Sequence, residues 1–279
     1  MKQQLVLDWF DQNKRDLPWR NTTPWGVMVS EFMLQQTPVN RVLPIWKQWM
    51  VKWPTALDLS LAKKSEVITA WGRLGYPRRA LRLYESAGII ARDFNNQVPR
   101  AIEDLRALPG VGEYTAAAIS AFAFDEPELV LDVNIRRLFA RVIDGVEHPT
   151  RSSSQIERRL RYELIPAEGA KWAAATMEFG ALVCTSKNPV CEACPMRREC
   201  AWRKAGYPPT ELIRKSQAWA RTDRQCRGTI VQALRESEKL SQIALMKLWH
   251  DNSQIEKALK TLIADGLIET TGKSFRLAN

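Results

Sequence analysis

Apolar positions recur at helical spacing through most of the first 200 residues. Between Glu31 and Trp53 they fall at Phe32, Leu34, Val39, Val42, Leu43, Ile45 and Trp46. The same three-and-four spacing returns over Glu66–Leu74, Ala80–Ala91, Thr115–Phe124, Ile135–Val142, Ser153–Leu164 and Lys171–Val183, the period of helices with one buried face. No run of alternating β-branched residues interrupts them. Prolines at 54, 77, 99, 109, 127, 149 and 166 punctuate the junctions, while Pro38 and Pro44 fall inside the first long span. The expected architecture is mainly α with short connections, without internal repeats.

The pattern changes after Cys200. Residues 203–222 have linker composition, with Gly206, Pro208 and Pro209 among basic side chains. From 223 to 279, Ile230, Leu234, Ile243, Leu245, Leu248, Ile255, Ala258, Leu259, Leu262 and Ile263 fit three short helices. Leu267–Leu277 then fits a hairpin turning at Thr271-Gly272-Lys273. The expected organisation is a helical domain over 1–202, a linker over 203–222 and a small winged-helix-like domain over 223–279.

Charge adds a partner class. The chain of 279 residues carries 41 Lys and Arg against 31 Asp and Glu, a net +10. That excess favours a polyanion such as nucleic acid or an anionic membrane surface. No apolar run is long enough to span a bilayer, and the first residues lack the apolar core of a signal peptide. A reducing cytoplasm is therefore expected. Only His148 and His250 are present, which argues against a Ser-His-Asp triad or a multi-histidine metal site.

Four of five cysteines cluster as Cys184, Cys191, Cys194 and Cys200, spaced Cys-x6-Cys-x2-Cys-x5-Cys. In a reducing compartment such a group reads as a metal site, either zinc or an iron–sulfur cluster, ahead of a disulfide pair. Lys187, Arg197, Arg198, Arg203 and Lys204 surround it. Cys226 stands alone and reads as core.

Leu108-Pro109-Gly110-Val111-Gly112 lies between two helical spans and has the form of a helix-hairpin-helix turn. Glycines permit a tight turn and close backbone approach. Free N–H groups of Gly110, Val111 and Gly112 and of the following helix at Thr115 then suit a DNA phosphate, without reading sequence.

Two carboxylates stand out beside apolar residues. Glu31 lies at the start of an apolar helical span, and Asp132 precedes Asn134 and Ile135. Taken alone, each reads as a helix cap or dipole partner more readily than as a desolvated acid–base group.

The hairpin turn, the aspartate about twenty residues beyond it and the four-cysteine loop resemble the endonuclease III superfamily of DNA glycosylases. Within it, Leu17-Pro18-Trp19-Arg20, Ser30-Glu31-Phe32-Met33-Leu34-Gln35-Gln36-Thr37 and Leu74-Gly75-Tyr76 resemble the adenine DNA glycosylases, from about residue 5 to 202. The resemblance implies a helix-hairpin-helix glycosylase fold and one 4Fe–4S cluster on the four cysteines. It implies a monomer acting on double-stranded DNA in the cytoplasm, at the nucleoid, that removes adenine mispaired with 8-oxoguanine or guanine. The base is flipped from the stack before reaction. Glu31 would protonate the leaving adenine, Asp132 would stabilise the oxocarbenium-like sugar, and Asn134 would orient them. Tyr114 stands where bifunctional relatives carry an attacking lysine, so base release without strand cleavage is implied. Gln36 and Tyr76 would wedge into the duplex, and Trp19, Arg20, Leu34 and Glu178 would line the base pocket.

The departures are specific. Residues after Arg221 are too few for the pyrophosphohydrolase-like domain that typical members use on 8-oxoguanine. Val133 replaces a glycine, and Pro77 follows Tyr76 where an aromatic is usual. A thymine-mismatch glycosylase of the same fold and a non-catalytic iron–sulfur DNA-binding regulator are the alternatives.

Overall fold

The computed structural model describes residues 2–166, 168–210 and 220–279. Helices dominate, as expected. In chain order they begin with α1 (Gln3–Asn13), α2 (Pro24–Leu34), α3 (Val39–Lys52), α4 (Ala56–Ser60), α5 (Lys64–Ala70), α6 (Arg78–Asp93) and α7 (Ile102–Ala107). They continue with α8 (Glu113–Phe124), α9 (Val133–Phe139), α10 (Gln155–Tyr162), α11 (Gly169–Leu182) and α12 (Ala201–Lys204). After these come α13 (Asp223–Arg235), β1 (Leu240–Ser241), α14 (Gln242–Met246), α15 (Asn252–Ala264), β2 (Ile268–Thr271) and β3 (Ser274–Leu277). The sequence marks many starts: Thr55, Ser154, Thr222, Ser241 and Asp251 each accept a hydrogen bond from a backbone N–H of the first turn, which satisfies donors the helix leaves open.

The span Glu31–Trp53 is two helices, not one. Thr37 precedes a proline and is steered away from helical angles. Gln36 takes a left-handed φ of 55°, and Pro38 opens α3 at φ −62°. Pro44 sits in the second turn of α3, where it removes one helical hydrogen bond near the end. Glu31 consequently lies in the second half of α2, away from that helix's own N-terminus.

Two compact units form. The first contains Met1–Val27, Arg100–Arg106 and Val111–Arg214. Its core joins Val6, Leu7 and Phe10 of α1, Ala117, Ala118 and Ala121 of α8, Ile135, Leu138 and Phe139 of α9, and Trp172, Ala175 and Phe179 of α11. The alanines let α8 and α11 approach closely. Helix α9 runs on into a π turn over Ala140–Asp144, which Gly145 ends at φ 73°.

The second unit contains Met28–Pro99, Ala107–Gly110 and Lys215–Asn279. Trp49 packs edge-on against Trp53 and Trp71, with ring centroids 4.8 and 5.5 Å apart. The three helices and hairpin expected after residue 223 are present, with β1 added beside β3 to give the antiparallel order β1-β3-β2. Gly272, at φ 60°, opens the two-residue turn between β2 and β3, a place where positive φ favours glycine. Packing does not isolate these residues. Ile68 of α5 and Leu81 of α6 share one core with Cys226, Ile230, Leu234, Leu259, Leu262 and Ile268. The expected linker starts inside α12, and its residues 211–219 lie outside the described residues.

Leu262 is fully buried in that shared core. Leu262→Ala is expected to lower unfolding free energy by about 2–5 kcal/mol and to raise amide hydrogen exchange in α5 and α6 together with α13–α15. Faster exchange confined to α13–α15 would contradict a common core.

Candidate active site

Asp132 is the N-cap of α9. Its Oδ1 accepts the backbone N–H groups of Asn134 (2.9 Å) and Ile135 (2.6 Å), and Oδ2 accepts from Asn134 Nδ2 (2.7 Å). Cap and candidate acid–base group are therefore the same side chain. Burial pushes this carboxyl above its ordinary value, while the bonds from Ile135 and Asn134 and the charge of Arg137 pull it partly back. Arg137, itself buried, donates to Asn134 Oδ1 (2.9 Å) and to the carbonyl oxygens of Gly180 and Cys184. Gly180 is needed here: a Cβ would lie 2.7 Å from the Asn134 carbonyl oxygen and 2.8 Å from its Cβ. Val133, the residue replacing glycine, is 72% exposed, so it fits without crowding the cap. Tyr114, on α8, packs at the edge of the same core.

In the second unit, Glu31 is buried within α2. Gln36 and Tyr76 both adopt left-handed backbone, at φ 55° and 46°, a conformation with a strain cost for residues other than glycine. One guanidinium holds both. Arg79 Nη1 donates to the carbonyl oxygens of Phe32 (2.9 Å), Met33 (3.1 Å) and Gln35, and Nη2 to those of Leu74 (3.2 Å) and Gly75 (2.9 Å) and to Thr37 Oγ1 (3.0 Å). It satisfies carbonyls that the end of α2 leaves open and fixes the peptide before each of the two residues. Burial lowers its pKa to about 10, which still leaves it cationic near neutrality. Pro77, directly after Tyr76, is the N-cap of α6.

The hairpin turn lies between α7 and α8 as expected. Gly110 has φ 82°, and a Cβ there would sit 2.8 Å from Arg82 Cβ and 2.9 Å from Phe32 Cε1, so packing as well as backbone angle requires glycine. No side chain caps α8 at Gly112. The side chains of Val111 and Thr115 are buried; only their backbone would reach a phosphate.

Trp19, Arg20 and Glu178 belong to the first unit and Leu34 to the second. Trp19 is buried. Glu178, buried on α11, accepts Arg15 Nε (2.8 Å), Arg15 Nη2 (2.6 Å) and the Arg15 backbone N–H (2.9 Å), with Arg20 Nη2 at 3.2 Å. Burial alone would raise its pKa, but the Arg15 bonds and the Arg20 charge prevail and hold it below the ordinary value. Arg20 also lies over the Phe10 ring at 5.1 Å.

All four clustered cysteines, none of them in a disulfide, line one small cavity with Leu138, Arg141 and Trp202. Arg141 Nη1 approaches Cys184 Sγ at 3.5 Å, and Cys200 Sγ donates to the Arg141 carbonyl oxygen at 3.4 Å. Burial pushes Cys184 up, and Cys194 to about 12, where Cys184, Cys191 and Cys200 add to the shift. Among the described residues no three Cys, His, Asp or Glu side chains converge closely enough for one metal ion. A cluster of several irons reaches its four thiolates at wider spacing, and four cysteines ringing one arginine-flanked cavity fit that demand.

The residues that the motifs did not reveal are arginines and a glycine: Arg15, Arg79, Arg137, Arg141 and Gly180. Each acts through a partner distant in sequence, and an isolated arginine in sequence reads as surface charge. Glu178→Gln would leave Arg15 and Arg20 without their shared carboxylate and is expected to cost about 2 kcal/mol. Because the Glu178 pKa is depressed on folding, its contribution is present above the unfolded value and is lost as pH falls through the folded one. Urea titrations from neutral to acid pH should show the Glu178→Gln variant losing less stability on acidification than the parent protein. An equal loss in both would sink this assignment.

The profile of HhH-GPD superfamily base excision DNA repair proteins matches residues 29–164. An adenine DNA glycosylase of Mycolicibacterium smegmatis is 43% identical over 272 residues, covering 95% of this chain and 92% of that protein. Among solved structures, a thermostable thymine-DNA glycosylase superposes with TM-score 0.63 at 27% identity, over 73% of this chain and 95% of its own. A non-covalent endonuclease III–DNA complex superposes with TM-score 0.64 at 21% identity, over 74% and 95%, a likeness of fold. The resemblance seen in the motifs thus extends along nearly the whole chain, and the protein belongs to the adenine DNA glycosylase family of the HhH-GPD superfamily.

Proposed function

We propose that the protein excises adenine mispaired with 8-oxoguanine or guanine in duplex DNA, by hydrolysis of the N-glycosidic bond without strand cleavage. The observation that carries this reading is the Asp132–Asn134 pair at the mouth of α9, a carboxylate whose position and ionisation are both set by its neighbours. Ionised Asp132 would face the positive charge that develops on the sugar as the base departs. Glu31, buried among apolar residues of α2, would deliver the proton that makes adenine a leaving group. Tyr114 supplies no amine, so the sugar is not captured as a Schiff base. The glycine turn at Gly110-Val111-Gly112 and the start of α8 would present backbone N–H groups to a phosphate, and Gln36 and Tyr76, pinned by Arg79, would enter the stack vacated by the flipped base.

Residues 1–202 form the glycosylase portion in this reading, acting as a monomer on DNA in the cytoplasm. Trp19, Arg20, Leu34 and Glu178 would border the adenine, with Glu178 fixing Arg20. Cys184, Cys191, Cys194 and Cys200 would hold one 4Fe–4S cluster. Bound there, the cluster would supply a rigid anchor for the loop and, through Arg137, for Asn134. Iron and sulfide content of protein purified without oxygen measures this directly.

Single-turnover assays should follow adenine opposite 8-oxoguanine, guanine or thymine, and thymine opposite guanine, with strand breaks scored before and after alkali. The expected result is adenine release that gives breaks only after alkali. Thymine release alone, or no release by iron-loaded protein, would overturn the proposal. Asp132→Asn is expected to lower base release at least about a hundredfold. Since Asp132 must be ionised and its pKa is raised, the rate should climb with pH through that raised value on the acid side. Asn134→Ala removes a donor to the carboxylate and is expected to move this limb to higher pH.

A further inference from the structure

Tyr76 is 46% exposed, yet its tip is held. Arg224, the second residue of α13, donates from Nη1 to the Tyr76 hydroxyl at 2.9 Å, and its guanidinium carbon lies 5.9 Å from the ring centroid. Arg79 stands 5.8 Å from the same centroid. Two cations thus flank one exposed aromatic ring, an arrangement that favours the ring's π face and accumulates positive charge around it.

The surroundings are basic as well. Arg78 and Arg227 share the single carboxylate of Asp265. Arg235 is turned inward and donates to the Ile68 carbonyl oxygen at 3.1 Å. Asp223, beside Arg224 in sequence, is engaged by Lys257 at 2.7 Å. The small C-terminal fold therefore brings an exposed arginine to the tip of the tyrosine, along an arginine-lined seam.

We propose that the residues following 220 are part of the DNA-binding surface, and that Arg224 is their contact: it occupies the edge of Tyr76 in the free protein and passes to a phosphate of the duplex when Tyr76 enters the stack. This rests on the reading of Tyr76 as the wedge. A ring entering a base stack tip-first carries its hydroxyl, and the guanidinium bonded to it, into the bases, so in this proposal the bond of 2.9 Å opens on entry. A displaced guanidinium beside a duplex meets phosphate first, and a planar fork of donors suits phosphate oxygens. The pairing with tyrosine meanwhile keeps the arginine ordered and close, so its loss of freedom on binding is small.

The test is duplex binding by the full chain as a function of salt, with an adenine·8-oxoguanine duplex and a matched one. Arg224→Ala is expected to weaken binding about tenfold at low salt and to reduce the slope of log K against log salt by about 0.9, the value for one phosphate. Arg224→Lys should restore most of the slope. Tyr76→Phe removes the tether and keeps the ring, and is expected to bind about twofold to fivefold tighter. An unchanged slope in Arg224→Ala overturns the inference, as does a slope lost equally in Arg224→Lys together with a lowered Tm, which would mark a structural role. Tyr76→Ala separates the two readings. No loss of mismatch preference in that variant sinks the wedge assignment, whereas the slope in Arg224→Ala reports on the arginine alone.

Discussion

A single half-buried guanidinium organises the exposed turns of the second unit at Gln36 and Tyr76. Arg79 gathers carbonyl oxygens from the end of α2 and from the loop before α6, segments separated by about forty residues in the chain. Without it, the carbonyls of Phe32 and Met33 would lose this donor, and the left-handed turns at Gln36 and Tyr76 would keep only the bonds from Thr37 and Trp71 against their strain. Arginine alone can do this, because its planar fork directs several donors outward within one plane to separate carbonyls while a lysine offers a point charge. The two left-handed turns and the half-buried arginine are one device.

The first unit solves a parallel problem on α9. The helix begins with a carboxylate that caps it, and the same helix presents Arg137 one turn later and Arg141 at the following turn. Those guanidiniums reach the carbonyl oxygens of Gly180, Cys184 and Thr185. A short helix with Asp132 at one end and the cysteine loop beside it therefore behaves as a rigid strut. Glycine at 180 is what lets α11 lie close enough to Asn134 for the strut to be braced from its side.

Much of this was legible in the chain. Apolar periodicity located most helices to within a few residues, because each buries one stripe. The three helices and hairpin after residue 223 were legible for the same reason. The glycine pair at 110 and 112 and the cysteine spacing carried chemistry, since few other arrangements need those residue types together. Other features were hidden. The split between α2 and α3 depends on Pro38 acting with Arg79, and only the proline is local. Glu31 reads in the sequence as the start of a helix although α2 begins at Pro24, because no polar residue within Pro24–Val29 marks that start. Arg15, Arg137 and Arg224 find their partners 163, 47 and 148 residues away, and a linear pattern carries no information about such pairs.

The discontinuous make-up of the second unit bears on how the molecule comes into being. Ile68 and Leu81 share a core with Leu262, Leu267 and Leu277, so on the ribosome their apolar faces wait until nearly two hundred further residues have been polymerised. The early helices of the second unit emerge as an unfinished surface: the buried core of the first unit is complete by Met196, that of the second only at Leu277. Vectorial synthesis thus leaves a long interval in which chaperones rather than native contacts must shield those side chains, and a chain interrupted before residue 260 would present them permanently to quality control.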